Sequence, residues 1–309
     1  MNETYHYRIA DFRFSVSCIW NLDNLLPSFS TFRTKPCCEE ERLFVMDVLP
    51  QIPESMDDMV EMEISDNDMG QIRLLETNDR YRIELKYEDG MTHIMQADKF
   101  FTSIQVQLCL QDRYRSEALS SMLRIAFSQA ILSHGGISVH ASAVTRLDST
   151  YLFMGKSGTG KSTHASLWLS CFPDSELLND DNPIIRIQNQ TAYVYGSPWS
   201  GKTPCYKNKR YRLGGVVKLV QAKENRFMLQ ESENAFITLL PGCSAIHKDT
   251  VLYNHLCNTL IELIAVIPVG VLLCKPEQEA ALKCEAAFKA TLASVSYTHL
   301  RAHETRHDL

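Results

Sequence analysis

The chain has 309 residues, of which 45% are hydrophobic and 22% are charged, and its formal net charge is −6 at pH 7. Such a chain can build a large core, in one big domain or in a small domain and a larger one. The acidic balance and the lack of a long basic run argue against a nucleic-acid partner, and no stretch is long and apolar enough to predict a membrane span.

The first residues, MNETYHYR, are polar and do not resemble an export signal. Ten cysteines are scattered without the spacing of metal ligands. In a chain without an export signal we expect such cysteines to be reduced and to pack as small apolar residues. These features predict a cytoplasmic protein.

Residues 1–112 show the alternation of apolar and polar residues that is typical of β-strands. The clearest segments are residues 5–10, 12–17, 72–75 and 81–87. The last one ends at a turn signal, Glu88-Asp89-Gly90, and residues 91–95 should form its hairpin partner. The acidic stretch 53–69 is predicted to be a loop. We interpret 1–112 as a β-rich accessory region, with a partner-recognition module as the alternative.

Residues 113–133 carry apolar side chains at helical intervals before Gly135-Gly136, which predicts an amphipathic helix with a glycine cap. Residues 136–144 and 150–154 are predicted to be strands. Their connection is too short for a parallel crossover, so we expect an antiparallel pair. This pair argues against a purely parallel, doubly wound sheet.

The second of these strands leads into GKSGTGKS at 155–162, which matches the Walker A pattern G-x-x-x-x-G-K-[ST]. Residues 161–171 lack Gly and Pro and are predicted to be helical. In this context the loop N–H groups converge on phosphate oxygens, and the helix N-terminus adds positive charge. Lys161 would reach the β- and γ-phosphates, and the Ser162 hydroxyl would ligate magnesium. The alternative is a glycine-rich turn without a ligand.

Residues 176–183 are predicted to form a strand that ends in Asp180 and Asp181, about twenty residues after Lys161. A nucleotide site of this kind needs a second acidic element, because magnesium is held by the protein as well as by the phosphates. One carboxylate would hold the metal, and the other would accept a proton from a hydroxyl nucleophile. Which aspartate has which role stays open, and a solvated Asp-Asp-Asn-Pro turn is the alternative.

His140 lies in the strand before the loop, where either a hydrogen-bonded core histidine or a catalytic one is consistent with the sequence. Residues 195–203 form a second Gly/Ser/Lys cluster, which either contacts phosphate or an acidic acceptor or is an exposed turn packed on Trp199. The candidate substrate residues in it are Ser200, Gly201 and Lys202.

The basic run 207–212 is either a solvated face or a group that neutralises an anionic substrate. Further elements are predicted from the apolar periodicity. They are strands at 192–195, 212–220 and 266–273 and helices at 233–240, 253–264 and 277–291.

Residues 294–309 resemble the in-frame translation of a transposase sequencing adapter, over eleven consecutive residues from Val295. We therefore expect this tail to be an assembly artefact and the true C-terminus to be missing. The histidines in the tail are accordingly not interpreted as a metal site.

In their order along the chain, His140-Ala-Ser-Ala, the 155–162 loop, Asp180-Asp181 and the later glycine-containing turn resemble the HPr serine kinase/phosphorylase family. They look especially like its shorter, HPr-kinase-related bacterial members. The likeness covers roughly residues 136–290 and extends distantly to the nucleotide core of ATP-dependent phosphoenolpyruvate carboxykinase. It implies an α/β fold with α+β character, in which residues 113–293 form a mixed-sheet P-loop kinase core. The family's phosphorolysis signature and its usual accessory domain are not found.

The resemblance implies Mg-ATP as the phosphate donor and a serine or other hydroxyl as the acceptor. By the same resemblance Asp180 and Asp181 supply the metal and base functions, Ser162 contributes to the metal, and His140 lies near the phosphates beside Lys161. The residues expected to hold the nucleotide are Gly155, Lys156, Ser157, Gly158, Thr159, Gly160, Lys161, Ser162 and Thr163.

We therefore expect an ATP-dependent kinase that acts on a protein, a peptide or a small molecule. The alternatives are a nucleotide-binding regulator without transfer, a carboxykinase-like enzyme and a simple ATPase. Members of the family often form rings, so a homo-oligomer is also open.

Overall fold

A computed structural model describes residues 3–52, 58–67, 70–201 and 203–304. The chain divides into two compact units. Unit 1 comprises the described residues up to Gly136 together with Ser244–Leu256, and unit 2 comprises Ile137–Cys243 and the described residues from Cys257 onward. No helix in the described part of the chain is long and apolar enough to cross a membrane.

Unit 1 contains one eight-stranded mixed sheet in the order β1-β2-β3-β8-β7-β6-β5-β4. Its strands are β1 Glu3–Ile9, β2 Phe12–Cys18, β3 Arg42–Leu49, β4 Val60–Asn67, β5 Gly70–Glu76, β6 Arg80–Lys86, β7 Thr92–Asp98 and β8 Ser103–Gln107. The predicted hairpin is confirmed, because β6 pairs antiparallel with β7. The β2–β3 and β3–β8 pairs are parallel.

The prediction of a loop at 53–69 is wrong for the strand β4, which pairs antiparallel with β5. This strand lies at the edge of the sheet, and Val60 and Ile64 are exposed. Residues 60–65 do alternate between apolar and polar residues, and the prediction was wrong because it followed the acidic composition of the stretch. Residues 53–57 and 68–69 lie outside the described part of the chain.

Two helices belong to unit 1: the short α1 at Leu22–Leu25 and the long α2 at Arg115–Ala130, inside the predicted 113–133. Phe127 of α2 packs against Phe12 and Phe14, with ring centroids 6.1 and 5.8 Å apart. This packing places α2 in unit 1. The boundary between the two units therefore lies between residues 136 and 137, whereas the sequence predicted it between residues 112 and 113.

Unit 2 is a mixed sheet with helices. Its elements are β9 Gly136–Ser138, β10 Ala141–Arg146, β11 Ser149–Met154, α3 Lys161–Cys171, β12 Ser175–Asn179, β13 Ile184–Gln188, β14 Thr191–Tyr195, β15 Arg210–Gln221, β16 Arg226–Gln230, α4 Ser232–Leu239, α5 Thr250–Ile264, β17 Val269–Cys274 and α6 Gln278–Glu304. The first turns of α5 belong to unit 1. The predicted strand 136–144 is interrupted at Val139 and His140, and α6 continues beyond the predicted 291.

The pairing of the strands in unit 2 positions the loop at 155–160. Strands β10 and β11 form the predicted antiparallel hairpin, whereas β11 pairs parallel with β15, and β15 pairs parallel with β17. The carboxyl ends of these three parallel strands therefore meet at one edge of the sheet, where ligands of open α/β sheets bind.

An aromatic core fixes α3 and α6 on this sheet. Trp168 of α3 is fully buried and its ring centroid lies 4.9 Å from that of Tyr151 and 5.3 Å from that of Phe153. Phe288 of α6 packs on the same Tyr151 at 5.2 Å. Since Tyr151 and Phe153 belong to β11, this core holds the strand before the loop and the helix after it in a fixed relation.

Candidate phosphate-binding and acidic site

The loop between β11 and α3 depends on glycine at three positions. Gly155, Gly158 and Gly160 have positive φ angles of 156°, 77° and 104°. Residues other than glycine rarely adopt this conformation. Within the described part of the chain, no side chain caps the N-terminus of α3. Its first N–H groups are therefore available to an anion.

The other predicted loop residues have distinct positions. Lys156, Ser157, Ser162 and Thr163 are exposed, whereas the Thr159 hydroxyl donates to the Lys156 carbonyl at 2.7 Å and closes the loop. Ser162 stands in the first turn of α3.

Lys161, His140 and Asp181 form a continuous chain of polar contacts. The Lys161 ammonium lies 2.8 Å from His140 Nε2 and donates to the Gly155 carbonyl at 3.0 Å. His140 Nδ1 lies 3.1 Å from Asp181 Oδ1. Burial lowers the pKa of Lys161, and the charges of Asp181 and Asp180 oppose that shift. Three candidate catalytic residues thus lie side by side at the start of the loop.

Asp180 is buried beside this chain, and its side chain is only half satisfied. Oδ1 accepts a hydrogen bond from the Ser142 hydroxyl at 2.9 Å, and Oδ2 has no partner among the described residues. A buried carboxylate oxygen without a donor is costly unless a cation or a proton faces it.

The donors at this site suit magnesium. Among the described residues, no group of three or more His, Cys, Asp or Glu side chains is arranged to hold a metal by itself. Magnesium in nucleotide sites is bound through one or two carboxylates together with substrate phosphates. The unpartnered oxygen of Asp180, with the carboxylate of Asp181 and the hydroxyl of Ser162, fits that pattern.

Asn179 holds the acidic turn, and its role was not found from the sequence. This fully buried side chain accepts hydrogen bonds from the N–H groups of Asp181 and Asn182 at 3.0 and 2.7 Å. It also donates to the carbonyl oxygens of Ser197 and Trp199 at 3.3 and 2.9 Å. Asn179 therefore joins the acidic turn to the second Gly/Ser cluster.

The second cluster lies against the aspartates. A Cβ atom at Gly201 would be 3.2 Å from the carbonyl oxygen of Asp180 and 3.7 Å from Cβ of Asp181. The Ser200 hydroxyl donates to the Thr203 carbonyl at 2.6 Å, and Lys202 lies outside the described residues. Trp199 is buried, as the packed-turn alternative predicted, yet the turn also borders the acidic site.

The basic run at 207–212 is largely engaged within unit 2. Lys207 and Lys209 pair with Glu176 at 2.7 and 3.4 Å, and these contacts, with the Tyr211 hydroxyl, hold the pKa of Glu176 near 2. The pairing favours a structural role for these lysines over neutralisation of a substrate.

No protein-family model matches the sequence, and no curated protein matches it. Among solved structures, a search finds similarity to the Hpr(Ser) kinase/phosphatase from Coxiella burnetii, with 12% sequence identity and a TM-score of 0.30. The match covers 55% of this chain and 96% of that chain. A likeness this distant carries no conclusion about activity.

Proposed function

We propose that this protein is an ATP-dependent phosphotransferase. It transfers the γ-phosphoryl group of Mg-ATP to the hydroxyl of a serine in a protein or peptide. The observation that carries the proposal is the chain of contacts from Lys161 through His140 to Asp181. It joins a phosphate-binding lysine to a carboxylate that can act on the acceptor.

Binding of the triphosphate is assigned to the loop and to α3. The loop N–H groups and the uncapped helix N-terminus would receive the phosphate oxygens. Lys161 would move from the Gly155 carbonyl and His140 to the β- and γ-phosphates, where its charge offsets that of the transferring group.

The two aspartates are assigned different roles from their surroundings. Asp180, with its buried and unpartnered Oδ2, would hold magnesium together with Ser162. The metal supplies neutralisation of phosphate charge. Asp181 is more exposed and is oriented by His140, so it would accept the proton of the acceptor hydroxyl.

The transfer then balances as an in-line displacement. The acceptor oxygen forms a bond to the γ-phosphorus, and the bond from that phosphorus to the β–γ bridging oxygen breaks. ADP leaves with the electron pair of the broken bond, and the hydroxyl proton passes to Asp181. Gly201, which borders both aspartates, lies where the acceptor segment would approach.

Incubation with γ-labelled ATP and serine-containing peptides or host proteins tests the assignment. Label on an acceptor hydroxyl, lost in Lys161→Ala, supports it. Label released only as free phosphate identifies an ATPase. Binding of ATP without formation of either product identifies a nucleotide-dependent regulator. The ATPase outcome and the regulator outcome each contradict the proposal.

A further inference from the structure

Three arginines lie side by side on the eight-stranded sheet of unit 1. Arg8 of β1 is opposite Arg13 of β2, and Arg13 is opposite Arg42 of β3. Like charges that are directly opposite on neighbouring strands destabilise a sheet. This arginine row is therefore a candidate site for an anion, whose charge would offset the repulsion between the guanidinium groups.

Arg8 and Arg13 point away from the apolar core of unit 1. Each of them stands between two buried apolar residues of its strand. Because successive side chains of a strand point to opposite faces, both guanidinium groups lie on the face opposite the core. Arg8 is exposed, and Arg13 and Arg42 are half-buried. A ligand as large as a polypeptide segment can therefore reach the arginine row.

His6 experiences the positive charge of this face. It lies two residues before Arg8 on β1 and therefore on the same face of the sheet. Burial lowers the pKa of His6, and the charges of Arg42 and Arg33 lower it further. The positive charge is local, because the formal net charge of the whole chain is −6. An acidic ligand is therefore attracted to this face in preference to the rest of the surface.

The chain's own acidic segment, Glu39–Glu41, engages two members of the arginine row. Glu41 pairs with Arg13 at 2.9 Å, and Glu39 pairs with Arg42 at 3.4 Å. The row thus accepts carboxylates from alternate positions of a polypeptide. The side chains of Glu41 and Glu39 are 57% and 91% exposed, and exposed ion pairs contribute little to stability. A ligand can therefore displace them.

Arg8 is the open position of the arginine row. Among the described residues it has no ion-pair partner. An arginine can bind a carboxylate through two parallel N–H donors, so this guanidinium is available to a carboxylate from outside the chain.

We propose that the arginine row docks an acidic segment of the acceptor protein or peptide, in which carboxylate side chains stand at alternate positions. One carboxylate pairs with Arg8, and the next two replace Glu41 on Arg13 and Glu39 on Arg42. The inference rests on the proposed function for the statement that the docked polypeptide is the acceptor.

Fluorescence anisotropy with two labelled peptides tests the docking site. In one peptide Glu alternates with Ala, and in the other Gln alternates with Ala. The wild-type protein should bind the Glu peptide at least about tenfold more tightly than the Gln peptide, because only carboxylates form ion pairs with the arginine row.

Variants of the row locate the binding. Arg8→Gln and Arg13→Gln should each weaken binding of the Glu peptide at least about fivefold. Arg80→Gln, which removes the same charge at the exposed start of β6, is the matched control and should leave the affinity unchanged. Glu41→Gln removes the partner of Arg13 and should strengthen binding at least about twofold.

Equal affinity for the two peptides, or an equal loss of affinity in Arg8→Gln and Arg80→Gln, overturns the docking site. Tighter binding of a phosphoserine peptide or of a single-stranded oligonucleotide than of the Glu peptide overturns it as well, because the row then selects phosphate. Binding of Mg-ATP by the same samples tests the proposed function separately. A wild-type protein that binds the Glu peptide but not Mg-ATP supports the docking of acidic segments and contradicts the phosphotransferase assignment.

Discussion

The Lys161 ammonium lies 2.8 Å from Nε2 of His140. An ammonium can only donate, so Nε2 carries the lone pair and the ring proton sits on Nδ1, which faces Asp181 Oδ1 at 3.1 Å. Without a ligand, the lysine is therefore held by His140 and the Gly155 carbonyl. In the proposed function, Lys161 would leave these contacts for the phosphates, which would couple occupation of the loop to the environment of His140 and Asp181.

Replacement of Lys161 by Met should leave the protein folded. The variant should lose the stabilisation by nucleotide that the wild-type protein shows. Burial lowers the pKa of Lys161, so folding disfavours its charged form, and its contribution to stability falls as the pH drops through the lowered pKa. We expect the unliganded variant to melt at or above the wild-type temperature. Saturating Mg-ATP should raise the melting temperature of the wild-type protein by at least about 3 °C and leave the variant unchanged. An equal shift in both proteins contradicts the role of the lysine.

His164 should make the protein sensitive to mild acid. Its pKa is lowered from 6.5 to about 4 by burial, so its contribution to stability is present above pH 6.5 and is lost as the pH falls toward 4. His164→Gln keeps an acceptor for Trp168 Nε1 but cannot be protonated. Between pH 7 and pH 4.5 the wild-type protein should lose about 2–3 kcal/mol more free energy of unfolding than this variant. Identical losses in urea titrations at the two pH values contradict the prediction.

Asn179 should be required for stability and for transfer. Asn179→Ala removes the side-chain acceptor of the Asp181 and Asn182 N–H groups and one donor to the carbonyl oxygens of Ser197 and Trp199. We expect a loss of about 3 kcal/mol in urea unfolding, and a lower transfer rate in the fraction that remains folded. Asn234→Ala, on the exposed face of α4, is the matched control and should change the free energy of unfolding by less than about 0.5 kcal/mol. Equal stability of the two variants contradicts the role of Asn179.

The elements that sequence predicts best are those with local signals. The 161–171 helix agrees with α3 at both ends, because the glycine loop before it and the lack of Gly and Pro within it are local features. The β10–β11 hairpin is also confirmed, since a short connection permits only an antiparallel pair.

The contacts that build the site depend on distant segments and could not be predicted from spacing. Asn179 contacts Trp199 because the 197–201 segment folds back over the end of β12, and neither residue carries a recognisable motif. His140 meets Lys161 because the strand is interrupted at Val139 and His140, a break that apolar periodicity does not mark. The edge strand β4 does alternate between apolar and polar residues over 60–65, but the loop prediction followed the acidic composition of the whole 53–69 stretch.

In the proposed function Asp181 acts on the acceptor hydroxyl while the loop holds ATP, and Asp181→Asn separates these two roles. This variant keeps an oxygen for His140 Nδ1–H and removes the negative charge. The decisive measurement is transfer of label from γ-labelled ATP to the acceptor, with ATP affinity determined on the same samples and the exposed-turn variant Asp148→Asn as the control. We predict a loss of transfer of about 100-fold in Asp181→Asn with ATP affinity within about threefold of the wild type, and no change in Asp148→Asn. Transfer at the wild-type rate in Asp181→Asn would contradict the assignment of Asp181 as proton acceptor.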